Sequence, residues 1–171
     1  PTPGDRSIPY PELRETGEPG HTRRRLVSHG VRVSEARAAA ILVHGRGGSP
    51  EGMLALVGQQ PLEGLAWIAP YADGNTWYPA RFTAPLEENE PWLSSALEWL
   101  DEIVSDLGEE GIPPRRIGFV GFSQGGCLAS EFAARRPRRY GAVVALSGGL
   151  IGPPNSNFEE RFGLGREPVA S

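Results

Sequence analysis

The pentapeptide Gly121-Phe122-Ser123-Gln124-Gly125 constrains this chain more than any other stretch. It follows the apolar run Ile117-Gly118-Phe119-Val120 and precedes a helix-forming stretch, Gly126 to Ala134. A Gly-x-Ser-x-Gly between a strand and a helix predicts a tight, strained turn that holds the serine hydroxyl out in the open. Side chains at Gly121 and Gly125 would clash with the neighbouring strand and helix, so the glycines are part of the turn. A serine hydroxyl is a poor nucleophile until a base takes its proton. Yet no His and no Asp occurs after Ser123.

The rest of the pattern is read around that turn. Ala38 to Val43, Leu65 to Pro70 and Ala142 to Leu146 are short continuous apolar runs, which suit strands buried on both faces of a parallel sheet. Arg25 to Val33 is read as a strand or as a hairpin around His29-Gly30. Ser49-Pro50-Glu51 reads as a capped helix start. From Pro91, the residues Leu93, Ala96, Leu97, Leu100, Val104 and Leu107 recur at helical spacing, with Gly108 as the stop. Strands alternating with helices predict an α/β domain with a mostly parallel sheet. The expected organisation is an irregular arm over 1–22, an α/β core over 23–150 and an irregular tail over 151–171, in which 158–162 forms at most a turn or two of helix.

Stabilising a carbonyl oxygen as it gains charge takes two N–H donors. Gln124 N–H, at the start of the helix, is one candidate. The glycine-rich loop His44-Gly45-Arg46-Gly47-Gly48, at the carboxyl end of the apolar run Ala38 to Val43, supplies the other, and Arg46 N–H is its candidate. His44 suits fixing that loop through hydrogen bonds better than acting as a base. His21 and His29 lie in or near the arm, and Asp73, Asp101 and Asp106 all precede the nucleophile. Trp77, Tyr78, Phe82 and Trp92 sit in or beside the long segment 71–90, either as apolar walls of an acyl pocket or as packing beneath the loop.

Composition narrows the partners. The formal net charge is −4, which argues against nucleic acid. All 17 basic residues are Arg, which is read as coding bias from a GC-rich genome and not as a function. Arg135, Arg136, Arg138 and Arg139 read as a solvated helix end. Cys127 is the only cysteine, read as a small buried thiol. No apolar stretch approaches the roughly 18 residues of a membrane span, so a cytoplasmic setting is expected, with no metal or cofactor.

The segments Leu42-Val43-His44-Gly45-Arg46-Gly47, Asn75-Thr76-Trp77-Tyr78-Pro79, Gly121 to Gly126 and Leu146-Ser147-Gly148-Gly149-Leu150 together resemble the bacterial phospholipase/carboxylesterase family, acyl-protein-thioesterase-like serine hydrolases. The resemblance covers about residues 36–153. It implies the α/β-hydrolase fold and cofactor-free hydrolysis of short- to medium-chain carboxylic esters. It implies Ser123 as nucleophile and the Arg46 and Gln124 amides as oxyanion hole. Trp77 would lie near the substrate groove, and Trp77 and His44 are the candidate substrate-binding residues. Family members continue some fifty residues further, with two more strands and the catalytic Asp and His, so the chain reads as C-terminally truncated relative to the family. An unpaired sheet edge after the last strand is then expected, and with it a homodimer through that edge. The alternative expectation is a weakly active or inactive remnant that binds acyl ligands or a partner chain.

Overall fold

A computed structural model describes residues 20–57 and 62–163. Five strands form one sheet in the order β1-β3-β2-β4-β5: β1 Leu26–Gly30, β2 Ala38–Val43, β3 Leu65–Pro70, β4 Ile117–Phe122 and β5 Ala142–Leu146. The strands β3, β2, β4 and β5 run parallel, and β1 pairs antiparallel with β3, from Leu26↔Pro70 to Gly30↔Ala66. The first segment is therefore a single edge strand and not a hairpin.

Alternation along the central strands explains why they read as continuous apolar runs. In β2, Ala39, Ile41 and Val43 join the larger core cluster on one face, while Ala40 and Leu42 join Met53 on the other. In β3, Ala66 and Ile68 face the first side, and Trp67 and Ala69 the second. Helix α1 (Pro50–Val57) covers the second face, its start capped by the Ser49 hydroxyl accepting from Gly52 N–H at 3.1 Å. Helix α2 (Trp92–Glu109) buries Leu93, Ala96, Leu97, Trp99, Leu100, Ile103, Val104 and Leu107 against the first. It runs one residue past the expected stop, and the chain turns at Gly111, with φ +90°. Helix α3 (Gln124–Arg135) packs on β4 and β5.

Two expectations need correction. Strand β5 is not buried: all five of its residues are exposed, with Val143 and Val144 at 41% and Leu146 at 47%. Its outer edge pairs with no strand among the described residues, and an edge strand loses the cover a neighbour would give. The arginines at the end of α3 are also not merely solvated. Arg136 and Arg138 pair with Asp101 of α2, and Arg135 Nε meets Glu131 at 2.7 Å.

The chain after β5 is anchored. Ile151 is buried, and α4 (Phe158–Phe162) closes on Gly163. The buried Glu131 carboxylate accepts from Ile151 N–H at 3.0 Å and forms an ion pair with Arg161 of α4. At the other end, Gly20 and His21 are buried. Residues 1–19 of the expected arm and 164–171 of the expected tail lie outside the described residues.

Candidate active site

The carboxyl ends of β2, β3, β4 and β5 lie side by side, and the residues singled out in the sequence leave the sheet there. Ser123 follows β4 with φ 52° and ψ −116° and caps α3. A non-glycine residue in this region carries strain of roughly 1–3 kcal/mol, which the surroundings must hold. They do so through backbone contacts. Ser123 N–H donates to Leu146 O at 2.8 Å, and Ser123 O accepts from Cys127 N–H at 3.0 Å. A Cβ on Gly121 would strike the Gly125 carbonyl, and one on Gly125 would strike the Val43 carbonyl. The tight turn thus depends on both glycines, and it leaves Ser123 exposed.

The His44–Gly48 loop comes against this turn. A Cβ on Gly45 would lie 3.5 Å from the Ser123 Cβ and 3.2 Å from the Phe122 carbonyl oxygen. Gly47 N–H donates to Asn75 O at 2.7 Å, and Gly48 N–H to Gly45 O at 2.9 Å. Among the described residues, the amides of Arg46 and Gln124 donate to no acceptor. Both belong to segments flanking Ser123, and Gln124 opens α3, whose dipole favours an anion.

His44 is committed elsewhere. Ala72 N–H donates to its Nε2 at 3.1 Å, so the proton sits on Nδ1, which donates to Gly45 O at 2.8 Å. His21 mirrors this arrangement. Asp73 N–H donates to its Nδ1 at 3.1 Å, and Nε2 donates to Trp77 O at 2.8 Å. Both rings are buried, and burial pushes the pKa of each below 6.5, against smaller opposing effects from the Trp77 and Gly45 carbonyls. The two neutral imidazoles flank Trp77, with ring centroids 5.5 Å and 5.1 Å from the indole. His29 lies in β1, separated from β4 by β3 and β2, and pairs near the amino end of β3. No ring nitrogen of the chain's three histidines is thus free and near Ser123.

Trp77 is 0% exposed, with its backbone N–H donating to Gln124 Oε1 at 2.9 Å and its indole N–H to His44 O at 2.8 Å. Tyr78 is buried too, its hydroxyl against Cys127, and burial raises its pKa far above the usual tyrosine range. Of the four aromatics, Phe82 is the open one at 43% exposure. Its ring lies beside Gly149, just beyond β5, while Phe122, directly before Ser123, is 46% exposed.

Sequence reasoning missed His21 and Glu131. His21 sits in a Pro- and Gly-rich stretch without periodicity, and nothing local signals that it reaches across to Asp73 and Trp77. Glu131 and Arg135 stand at i, i+4 spacing, which signals that pair. The partner from α4 leaves no trace in spacing. Among the described residues no group of three or more His, Cys, Asp or Glu is placed to hold a metal, and no helix is long and apolar enough to cross a membrane.

The phospholipase/carboxylesterase family model matches residues 31–166. Acyl-protein thioesterase 1 of Cryptococcus neoformans is 28% identical over 127 residues, covering 64% of this chain and 53% of that protein. The crystal structure of a phospholipase/carboxylesterase from Dyadobacter fermentans superposes with a TM-score of 0.74 at 41% identity, over 78% of this chain and 64% of that one. That of esterase PE8 gives 0.59 at 27% identity, over 72% and 63%. The chain spans about half the length of this curated relative and under two thirds of each solved structure. The mostly parallel sheet and its solved neighbours agree on the α/β-hydrolase fold, and the chain belongs to the phospholipase/carboxylesterase family of hydrolases.

Proposed function

We propose that this chain carries the nucleophile and oxyanion hole of a carboxylesterase, a serine hydrolase acting on short- to medium-chain carboxylic esters. Ser123 Oγ attacks the ester carbonyl carbon, and the carbonyl oxygen becomes an oxyanion held by the Arg46 and Gln124 amides. The bond to the alcohol oxygen then breaks and the serine proton leaves on that oxygen, giving an acyl-enzyme on Ser123 and the free alcohol; water attacks the acyl ester next, releasing the carboxylic acid and returning a proton to Ser123 Oγ. The observation that carries this reading is the exposed Ser123 at φ 52°, ψ −116°, with the Gly45 loop against it and the two amides without acceptors. Strain of this kind at a helix start suits a nucleophile and has no evident packing benefit.

His44 and Trp77 support the site from beneath in this reading. Both are buried, and they shape the substrate side by fixing the loops, while Phe82 and Phe122 offer open apolar surface to the ester. The Ser123 proton goes to none of the three histidines. Acylation by these residues alone then runs at the level that anion stabilisation and binding supply, roughly 10³-fold above water. The occupied histidines also favour a second reading, a folded acyl-ligand or partner-binding core without turnover. In either reading, the exposed outer edge of β5 is where a second copy would pair.

Prolonged incubation with p-nitrophenyl butanoate, followed by intact mass, separates the two. The serine reading expects one butanoyl group per chain, lost in Ser123→Ala. An unmodified chain, or equal modification of the variant, overturns it.

A further inference from the structure

The two candidate oxyanion donors belong to loops far apart in the chain, and a hole works only if their spacing is fixed to a few tenths of an ångström. Their side chains meet at one atom. Arg46 Nη2 donates to Tyr78 O at 3.0 Å, and Gln124 Nε2 donates to the same oxygen at 2.8 Å. A carbonyl oxygen has two lone pairs, so Tyr78 O is saturated by this pair.

Each side chain then grips the same segment a second time. Arg46 Nη1 donates to Pro79 O at 3.0 Å and Nη2 to Ala80 O at 2.8 Å, so the guanidinium closes on three successive carbonyls. Gln124 Oε1 accepts from Trp77 N–H at 2.9 Å. The segment is itself immobilised: Trp77 Nε1 donates to His44 O, and Asn89 Oδ1 accepts from Ala80 N–H at 2.7 Å. Solubility does not need a guanidinium satisfied by three main-chain carbonyls beside a nucleophile, and an ordinary surface arginine would leave it in water.

We propose that the Tyr78 carbonyl is a shared anchor that sets the distance between the Arg46 and Gln124 amides, and that the Arg46 guanidinium is a positioning residue for the hole. The inference rests on the serine reading above for its consequence in chemistry, but the anchor itself is a statement about loop coupling. Lysine keeps the charge and cannot span three carbonyls in a plane, so Arg46→Lys separates geometry from electrostatics.

Two measurements on the 171-residue chain test it. In amide exchange followed by NMR, Arg46→Lys raises exchange at Gly47 N–H, the donor to Asn75 O, by roughly tenfold, the loss of about one hydrogen bond's worth of protection. The β2 and β4 amides stay within about twofold of wild type. Unchanged Gly47 exchange overturns the anchor, and Arg46→Gln, which also removes the clasp on three carbonyls, repeats the test if Arg46→Lys unfolds.

Phosphonylation of Ser123 by a p-nitrophenyl alkylphosphonate reads the hole. The maximal inactivation rate falls roughly tenfold in Arg46→Lys while the half-saturating concentration stays within about twofold, because misplaced donors weaken only the charged transition state. The reverse split overturns the positioning role. The Arg46→Lys/Gln124→Ala double variant loses less than the product of the single losses, and a full product means two independent ties and refutes the shared anchor. A wild-type chain that takes no phosphonate defeats the serine reading and the role in a hole, while the exchange data still decide whether Tyr78 O couples the loops.

Discussion

Two buried neutral histidines make the stability of this fold acid-sensitive. His21 Nδ1 and His44 Nε2 each accept a main-chain N–H, from Asp73 and Ala72 respectively. A proton on either nitrogen would face an N–H instead of a lone pair. Burial depresses both pKa values from 6.5; Asp73 opposes the shift at His21, with Arg24 and His44 reinforcing it, and Glu51 opposes it at His44. As pH falls below 6.5 the unfolded chain takes up protons that the folded chain refuses. Stability from these groups is therefore full above that value and drains away as pH falls through the folded pKa values. The limiting slope is about 1.4 kcal/mol per pH unit for each histidine. Acidification from pH 7.5 to 5.5 therefore removes at most a few kcal/mol from the pair, a large fraction of the stability of an ordinary domain. Urea unfolding measures this directly, and at an m-value of about 2 kcal/mol/M the midpoint falls by on the order of 1 M. His44→Gln, whose amide can still accept from Ala72 N–H, loses roughly half as much on acidification. A wild-type midpoint that holds steady from pH 7.5 to 5.5 would refute the reasoning.

Three other perturbations probe different parts of the account. Ser123→Gly relieves the strained φ, so it raises stability by about 1 kcal/mol in thermal unfolding while removing the nucleophile; a lower melting temperature would show that the turn is not strained. Glu131→Ala leaves Arg161 without its buried partner and Ile151 N–H without an acceptor, and costs about 3–5 kcal/mol in urea unfolding; a loss below about 1 kcal/mol would mean that the anchor of the tail is dispensable. Strand β5 is uncharged and exposed, and its outer edge pairs with no strand among the described residues, so small-angle scattering is expected to show a dimer that Val144→Lys disperses; a strictly monomeric wild type contradicts pairing there.

Much of this was legible because it depends on local pattern. Ala38–Val43, Leu65–Pro70 and Ala142–Leu146 have no competing periodicity, and the strands fall on those residues. The spacing of Leu93, Leu100 and Leu107 marks one helix face because 3.6 residues make a turn. Burial of β5 was not legible, because an apolar run looks the same whether or not a neighbour covers it. The role of His21 depends on a contact across the fold to Trp77, which no window of sequence contains. The side chains of Arg46 and Gln124 are a subtler case. Sequence pointed to their main-chain amides, and the structure reveals that their side chains bind Tyr78 O. Trp77 and His44, read as candidates for the substrate side, are both buried, since loops outside regular structure need buried donors and acceptors to hold their shape.

The central claim is that Ser123 is mounted to form a bond with an acyl or phosphonyl group. Its most direct test is peptide mapping of the chain after treatment with a fluorophosphonate. The account predicts a single adduct on the peptide containing Gly121 to Gly125, at Ser123, that disappears in Ser123→Ala while the fold, checked by circular dichroism, is unchanged. An adduct at another residue, or no adduct on a folded wild-type chain, would contradict it.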